Sequence, residues 1–388
     1  MTRPSAGALI VAARRTPIAR LDGDLAAHHA HSLAARVIAA VVSDAGIADE
    51  QVADVILATA AGPGGNLARR AALDAGLGAE VPGMTIDRQC GGGLDAIVLA
   101  CRLVEAGAGD LYIAGGVESA STSPLRDGAG QDRGTRERRF FPRRMFAGGE
   151  YEDPGMAESA ETIAAEWKIA RVRQDAFAAE SHRRAVTAQA AGVFDAEIVA
   201  VGAVDRDSCP RPTLTEERMA RFPAIMDPGG TVTAGNSSQI ADGAAGAVVA
   251  SAATAARLGL PGLRHVDSAT AGVDPRVCGI GAVAAARTLA ARQAAFDARR
   301  FAYVAMTEAF ASQTLATVDE LELDATRVNP RGGAIALGHP WAASGAVQVV
   351  RLFAEMRSAR TPVDGLALAA IAGGMGTAAW FSGNGREG

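Results

Sequence analysis

Leu111-Tyr-Ile-Ala-Gly-Gly116 and Ala369-Ala-Ile-Ala-Gly-Gly374 are two apolar runs that both close on Ile-Ala-Gly-Gly. A short run of apolar residues without polar alternation, ended by glycine, reads as a strand buried on both faces. Ahead of each run stands a reactive side chain followed by small residues that open a helix: Cys90-Gly-Gly-Gly-Leu94 in the first half and His339-Pro-Trp-Ala-Ala-Ser-Gly345 in the second. The echo predicts a duplicated βαβ-type core with its two reactive loops facing each other; coincidence in a chain rich in alanine and glycine is the competing reading. Outward from these runs, Ala8–Ala13 and Val55–Thr59 read as strands, the second entering the glycine-rich turn Ala61–Gly65. Ser32–Ala45 reads as a helix ended by Gly46, and Leu94–Val104, Ala157–Trp167 and Arg171–Ala191 as further helices. The alternating core pattern resumes near Val248 and continues to Phe381. Strands alternating with helices indicate a layered α/β fold.

Ser119–Ala147 breaks the pattern. It carries Arg126, Arg133, Arg136, Arg138, Arg139, Arg143 and Arg144 among few aliphatics, and reads as an irregular basic insertion or a solvated loop. The whole chain is nevertheless acidic, with 38 basic and 43 acidic residues and a net charge of −5, which argues against a general nucleic-acid binder. Lys168 is the single lysine, so there is no GK[ST] phosphate loop and Schiff-base chemistry would rest on that residue alone. The four cysteines, Cys90, Cys101, Cys209 and Cys278, form no CxxC pair and no disulfide framework. No apolar run approaches the ~18 residues of a membrane span, and Arg14-Arg15 follows rather than precedes the first apolar run. A cytoplasmic protein is expected.

Two residues stand out chemically. A cysteine at a helix N-terminus meets unpaired N–H groups and the positive end of the dipole, which predicts a thiol pKa below the free value of about 8.5. Gly91–Gly93 would let a substrate carbonyl approach the backbone, whose N–H groups could hold an oxyanion. A buried cysteine in a tight turn is the plainer reading. His339 could accept the Cys90 proton or donate to a thioester oxygen, or could simply be structural. His28, His29 and His31 lack a carboxylate or cysteine to complete a metal set, so no metal site is expected. Cys101 falls within an apolar helix and reads as core.

These motifs, with Arg15-Thr-Pro-Ile18, Gly115-Gly-Val-Glu-Ser119, Val232-Thr-Ala-Gly-Asn-Ser-Ser238, Asp274-Pro275, Glu308-Ala-Phe310 and Gly373-Gly-Met-Gly376, run in one order from end to end. In them the chain resembles the thiolases, the acetyl-CoA acetyltransferase and 3-ketoacyl-CoA thiolase family. The resemblance implies a five-layered fold of two duplicated βαβαβ halves with an inserted loop domain. The first half, 1–119 plus 237–262, would carry the nucleophile; 120–236 would form the CoA-binding loop domain, and 263–388 the second half. It implies Cys90 as the acylated nucleophile and His339 as its activator, with the backbone of Cys90 and Ala372 as oxyanion donors. Arg211 would meet the CoA nucleotide, Ser238 the pantetheine, and Met156 the acyl pocket. A CoA thioester would be substrate, with no permanently bound cofactor, no nucleic-acid or membrane partner, and a homodimer or homotetramer as assembly.

The sequence also departs from that pattern. Ala370 stands where the family has the cysteine base that takes the α-proton of the second acyl-CoA. Thr307 replaces the asparagine that holds an oxyanion-hole water, Ala342 replaces a glycine beside the bulky Trp341, and Cys278 replaces a pocket methionine. The expectation is an acyltransferase that accepts an acyl group on Cys90 and passes it to an acceptor, with ordinary Claisen condensation impaired. Cys278 is a substitute base or, the favoured reading, a pocket wall. A non-catalytic CoA-ester-binding or complex-stabilising subunit is the alternative.

Overall fold

The computed structural model describes residues 7–124 and 144–383. Arg126, Arg133, Arg136, Arg138, Arg139 and Arg143 of the basic stretch lie outside the described residues. The first half runs β1 (Ala8–Arg15), the short β2 (Ala19–Arg20), α1 (Ala30–Ala45), β3 (Asp54–Ala58), α2 (Leu67–Asp74), β4 (Gly83–Ile86), α3 (Gly92–Glu105) and β5 (Leu111–Glu118). Next come α4 (Met156–Glu166), α5 (Arg171–Ala190) and a single turn, α6 (Glu216–Met219), before β6 (Ala241–Ser251) returns to the first sheet. The rest comprises α7 (Ala252–Leu258), β7 (Leu263–Gly272), α8 (Gly281–Arg292), β8 (Tyr303–Met306), α9 (Ala311–Glu320), α10 (Ala334–Leu337), α11 (Trp341–Ser358), β9 (Val363–Ile371) and β10 (Met375–Gly383).

The strands form one sheet in the order β4-β3-β5-β6-β1-β7-β10-β9-β8, with β2 on β6. Its two halves repeat one pattern. β3 and β5 are parallel, and β5–β6 and β6–β1 antiparallel; likewise β8 and β9 are parallel, and β9–β10 and β10–β7 antiparallel. The halves meet at a short seam, Leu9 opposite Arg264 and Ile10 opposite Leu263. Because side chains alternate across a strand, each half-sheet feeds two cores. Ile10, Ile56, Val249, Ala367 and Phe381 face a central layer made by α3 and α11. Val11, Val55, Leu57 and Val248 face α1 and α2 on one outside, and Leu366, Leu368 and Trp380 face α8 on the other. Five layers result. The central layer is the best buried: Leu94, Ile97 and Cys101 of α3 meet Val349, Leu352 and Met356 of α11, and each such aliphatic contributes roughly 1.5–3 kcal/mol.

β5 and β9 thus occupy matching places, each preceded by a central helix, as the echo in the sequence suggested. Their Ile-Ala-Gly-Gly tails do not match. Gly115 and Gly116 lie within β5, opposite Gly246 and Ala245, whereas Gly373 and Gly374 take φ of +85° and +79° and turn the chain from β9 into β10.

The segment between α5 and β6 is fastened to the first half by Arg15, which is fully buried. Its guanidinium donates to Glu197 Oε1 at 2.8 Å and as a fork to both oxygens of Asp207 at 2.7 and 2.9 Å. Asp207 also accepts the Ile18 N–H at 2.8 Å. Bidentate pairing of this kind fixes direction as well as distance. It sets the course of the chain toward Arg211.

Candidate active site

Cys90 stands on a tight turn between β4 and α3. The Asp87 carboxylate accepts the Gln89 N–H at 2.8 Å and its side-chain amide at 3.0 Å, holding Gln89 at φ +44°, a left-handed conformation costly for a residue with a Cβ. A single 3-10 turn, Gln89–Gly91, then leads into α3. The glycines that follow make room for the protein itself rather than for substrate. A Cβ on Gly91 would overlap Ile371 Cδ1, and one on Gly93 would stand 2.6 Å from the Ala342 carbonyl oxygen. Their absence lets the end of β9 and the start of α11 close onto the cysteine.

His339 arrives from the second half. Its N–H donates to Gln239 O at 2.8 Å, and Gly338 before it holds φ +99°. The preceding loop is held by the buried Glu308 carboxylate, which accepts from Ser181 Oγ at 2.7 Å and Asn329 Nδ2 at 2.7 Å. The imidazole is buried, with Nδ1 2.6 Å from Ser344 Oγ and Nε2 3.3 Å from Cys90 Sγ. With the Nδ1 proton donated to Ser344, Nε2 presents its lone pair to the thiol. The two reactive loops do face each other.

The electrostatics correct the expectation of a lowered thiol pKa. Burial, reinforced by the neighbouring Cys278, pushes the Cys90 thiol up to about 12, although the N–H of Ala372 donates to its sulfur and pulls the other way. Burial also pushes His339 down to about 4. Desolvation outweighs the helix end for both groups, so the resting pair is neutral thiol and neutral imidazole. Such a histidine is unprotonated at neutral pH and free to act as a base.

The other expected site residues fall into groups. Cys278 sits on the turn leading into α8, its Sγ 3.4 Å from Ser159 Oγ of α4, the helix that Met156 opens. Burial raises its thiol too. Arg211 is exposed and donates to Gln239 Oε1 at 3.0 Å, one residue from Ser238, whose N–H is taken by Ala309 O. Since Gln239 O also receives the His339 N–H, Arg211 is one residue removed from the loop that carries His339. Trp341 and Ile86 pack against the cluster of Ala58, Ala60 and Ala342, and the Arg144 guanidinium lies 4.8 Å above the Trp341 ring. Arg144 is therefore engaged with the protein, unlike a solvated loop cation. The Thr307 hydroxyl accepts from Gln348 Nε2 at 2.6 Å. Ala370, opposite Gly376, is two residues from the Ala372 N–H. Among the described residues no group of His, Cys, Asp and Glu could hold a metal ion, and no helix is long and apolar enough to cross a membrane.

Several residues at the site escaped sequence reasoning. Ser344 orients the imidazole, and Gln348 holds Thr307. Glu118 receives the N–H groups of Ala60 and Ala61 at 2.9 Å and the Thr59 hydroxyl, fixing the loop beneath Trp341. Ser344 and Glu118 lie inside sequence motifs without a role read for them, and Gln348 shows as a lone amide inside the apolar run Ala346-Val-Gln-Val-Val350.

Comparison with known proteins bears on the chain as a whole. Residues 8–253 match the thiolase N-terminal domain and residues 261–382 the thiolase C-terminal domain. An acetyl-CoA acetyltransferase of Cupriavidus necator is 40% identical over 95% of this chain and 98% of its own. A beta-ketoadipyl-CoA thiolase of Pseudomonas aeruginosa is 42% identical over 86% and 88%. The crystal structure of the Bacillus anthracis acetyl-CoA acetyltransferase superposes with a TM-score of 0.90 at 33% identity, covering 98% of this chain and 99% of that one. Matched over nearly its whole length by both thiolase domains and by these relatives, the chain belongs to the thiolase family.

Proposed function

We propose that the protein is an acyltransferase that takes an acyl group from an acyl-CoA thioester onto Cys90. The contact between Cys90 Sγ and His339 Nε2, 3.3 Å, carries this reading. The thiol proton passes to Nε2 as the sulfur attacks the thioester carbonyl. The N–H groups of Cys90 and Ala372, both directed at the sulfur, would serve as the oxyanion donors. Collapse of the tetrahedral adduct expels the CoA thiolate, which recovers the proton from His339. The acyl-enzyme and free CoA remain. Arg211 and Ser238 would lie along the CoA, and Met156 and Cys278 along the acyl group.

The second half-reaction differs from that of ordinary thiolases. Removing an α-proton from a second acyl-CoA needs a base, and the methyl group of Ala370 supplies none. Loss of a general base removes roughly 10²–10⁴-fold in rate. Cys278 reads as a pocket wall, since burial favours its neutral thiol and its polar contact is Ser159. The acceptor is therefore one that needs no cysteine base: an activated carbon acid, a decarboxylating thioester, an amine, an alcohol or water. Mass spectrometry after incubation with a panel of acyl-CoAs should show the acyl mass on Cys90, absent from Cys90→Ala and depleted in His339→Ala. Absence of any adduct across the panel would overturn the reading. A homodimer or homotetramer is the assembly proposed, and light scattering decides it.

A further inference from the structure

Ser344 and Gln348 stand four residues apart on α11, hence on one face of the helix. Both line a cavity of about 40 Å³, shared with Thr307 and with Gly338 and Pro340, the residues on either side of His339 in the chain. Gln348 is buried, and its Nε2 donates to Thr307 Oγ1 at 2.6 Å and to Leu368 O at 2.8 Å. Leu368 O can only accept, so the amide cannot be turned over, and Oε1 is left buried without a protein partner. A buried acceptor so placed is costly unless something donates to it. In the tautomer that leaves Nε2 free for the thiol, the Ser344 oxygen receives Nδ1–H and the hydroxyl keeps its own proton to give. A cavity of this size holds a water, which needs two or more polar partners.

We propose that a buried water bridges Ser344 Oγ–H and Gln348 Oε1, making Gln348 a positioning residue for the Cys90–His339 pair. This rests on the acyl-enzyme reading above. The hydrogen bonds then run from the Cys90 thiol to Nε2, from Nδ1–H to Ser344 Oγ, from Ser344 O–H to the water, and from the water to Gln348 Oε1, with Thr307 fixing the amide. No proton travels beyond His339. When Nε2 takes the thiol proton, the positive charge on the ring strengthens Nδ1–H donation, and each bond further along is polarised in the same sense. The relay gives a neutral counterpart to a carboxylate behind a catalytic histidine.

The test is the pre-steady-state burst of thiol release from acetyl-CoA, or of nitrophenolate from 4-nitrophenyl acetate, followed from pH 4 to 8. Gln348→Met keeps the bulk but removes the acceptor, and should slow the burst about two- to tenfold across the plateau. Gln348→Glu keeps an acceptor at the end of the relay, its buried carboxyl held protonated by donating to Leu368 O, and should restore most of the rate. Ser344→Ala should cost as much as Gln348→Met, and the double variant no more than either. No rescue in Gln348→Glu, or fully additive losses, would overturn the relay. His339→Ala keeping the wild-type burst, or no wild-type burst with either donor, would instead overturn the reading on which it rests.

Discussion

Alkylation of Cys90 by iodoacetamide, measured against pH, decides whether burial or the helix end governs its thiol. Iodoacetamide reacts with thiolate, so the rate follows the thiolate fraction. A free cysteine, with a pKa of about 8.5, is about 3% thiolate at pH 7. A thiol at about 12 is ionised to about one part in 10⁵ there, so Cys90 should react about 10³-fold more slowly than free cysteine. A preformed thiolate–imidazolium pair is equally disfavoured, because His339 holds a proton only near pH 4. The rate should therefore climb about tenfold per pH unit from 6 to 10 without a plateau. Peptide mass spectrometry at timed intervals reads Cys90 separately from the buried Cys101, Cys209 and Cys278. A plateau between pH 6 and 8, or a rate at pH 7 above that of free cysteine, would refute the reasoning. The dipole of α3 and the Ala372 N–H would then outweigh desolvation.

Three further outcomes follow from the same geometry. Ala370→Cys should raise condensation or thiolysis of acetoacetyl-CoA by roughly 10²–10⁴-fold while leaving Cys90 acylation unchanged. No gain in a variant that still acylates would show that more than the base is missing. Gly338→Ala puts a side chain at φ +99°, with its Cβ 2.9 Å from Ala241 Cβ and 3.1 Å from Cys209 Sγ. It should cost about 1–3 kcal/mol in urea unfolding and more than tenfold in acylation, and wild-type behaviour would contradict the assigned geometry. The third concerns acid. His339 is depressed in the fold from 6.5 to about 4, so the unfolded chain takes up that proton first and stability is lost as pH falls through this window. At about 1.4 kcal/mol per unit, wild type should lose about 3 kcal/mol relative to His339→Gln between pH 6.5 and 4. Glu118 and Glu308, which burial shifts upward, cancel in that difference. A constant gap would show that the imidazole is not desolvated.

Sequence by itself determined the layered α/β class, the duplication and the two reactive loops. Strand hydrophobicity, helix periodicity and glycine turns are local properties, and they stay legible in one dimension. It also determined that the chain has no cysteine at position 370, which no folding can supply. Tertiary structure decided the state of the Cys90 thiol. The Asp87–Gln89 turn and the glycines of α3 draw β9 and α11 over Cys90, and that closure raises the thiol which the helix end alone would have lowered. It decided, too, that the Ile-Ala-Gly-Gly tails diverge, because pairing with β6 holds one straight while a hairpin turns the other. Ser344, Gln348 and Glu118 acquire their roles only where distant segments meet. Desolvation and hydrogen-bond partnership depend on everything packed around a group, and adjacent letters of the sequence do not record it.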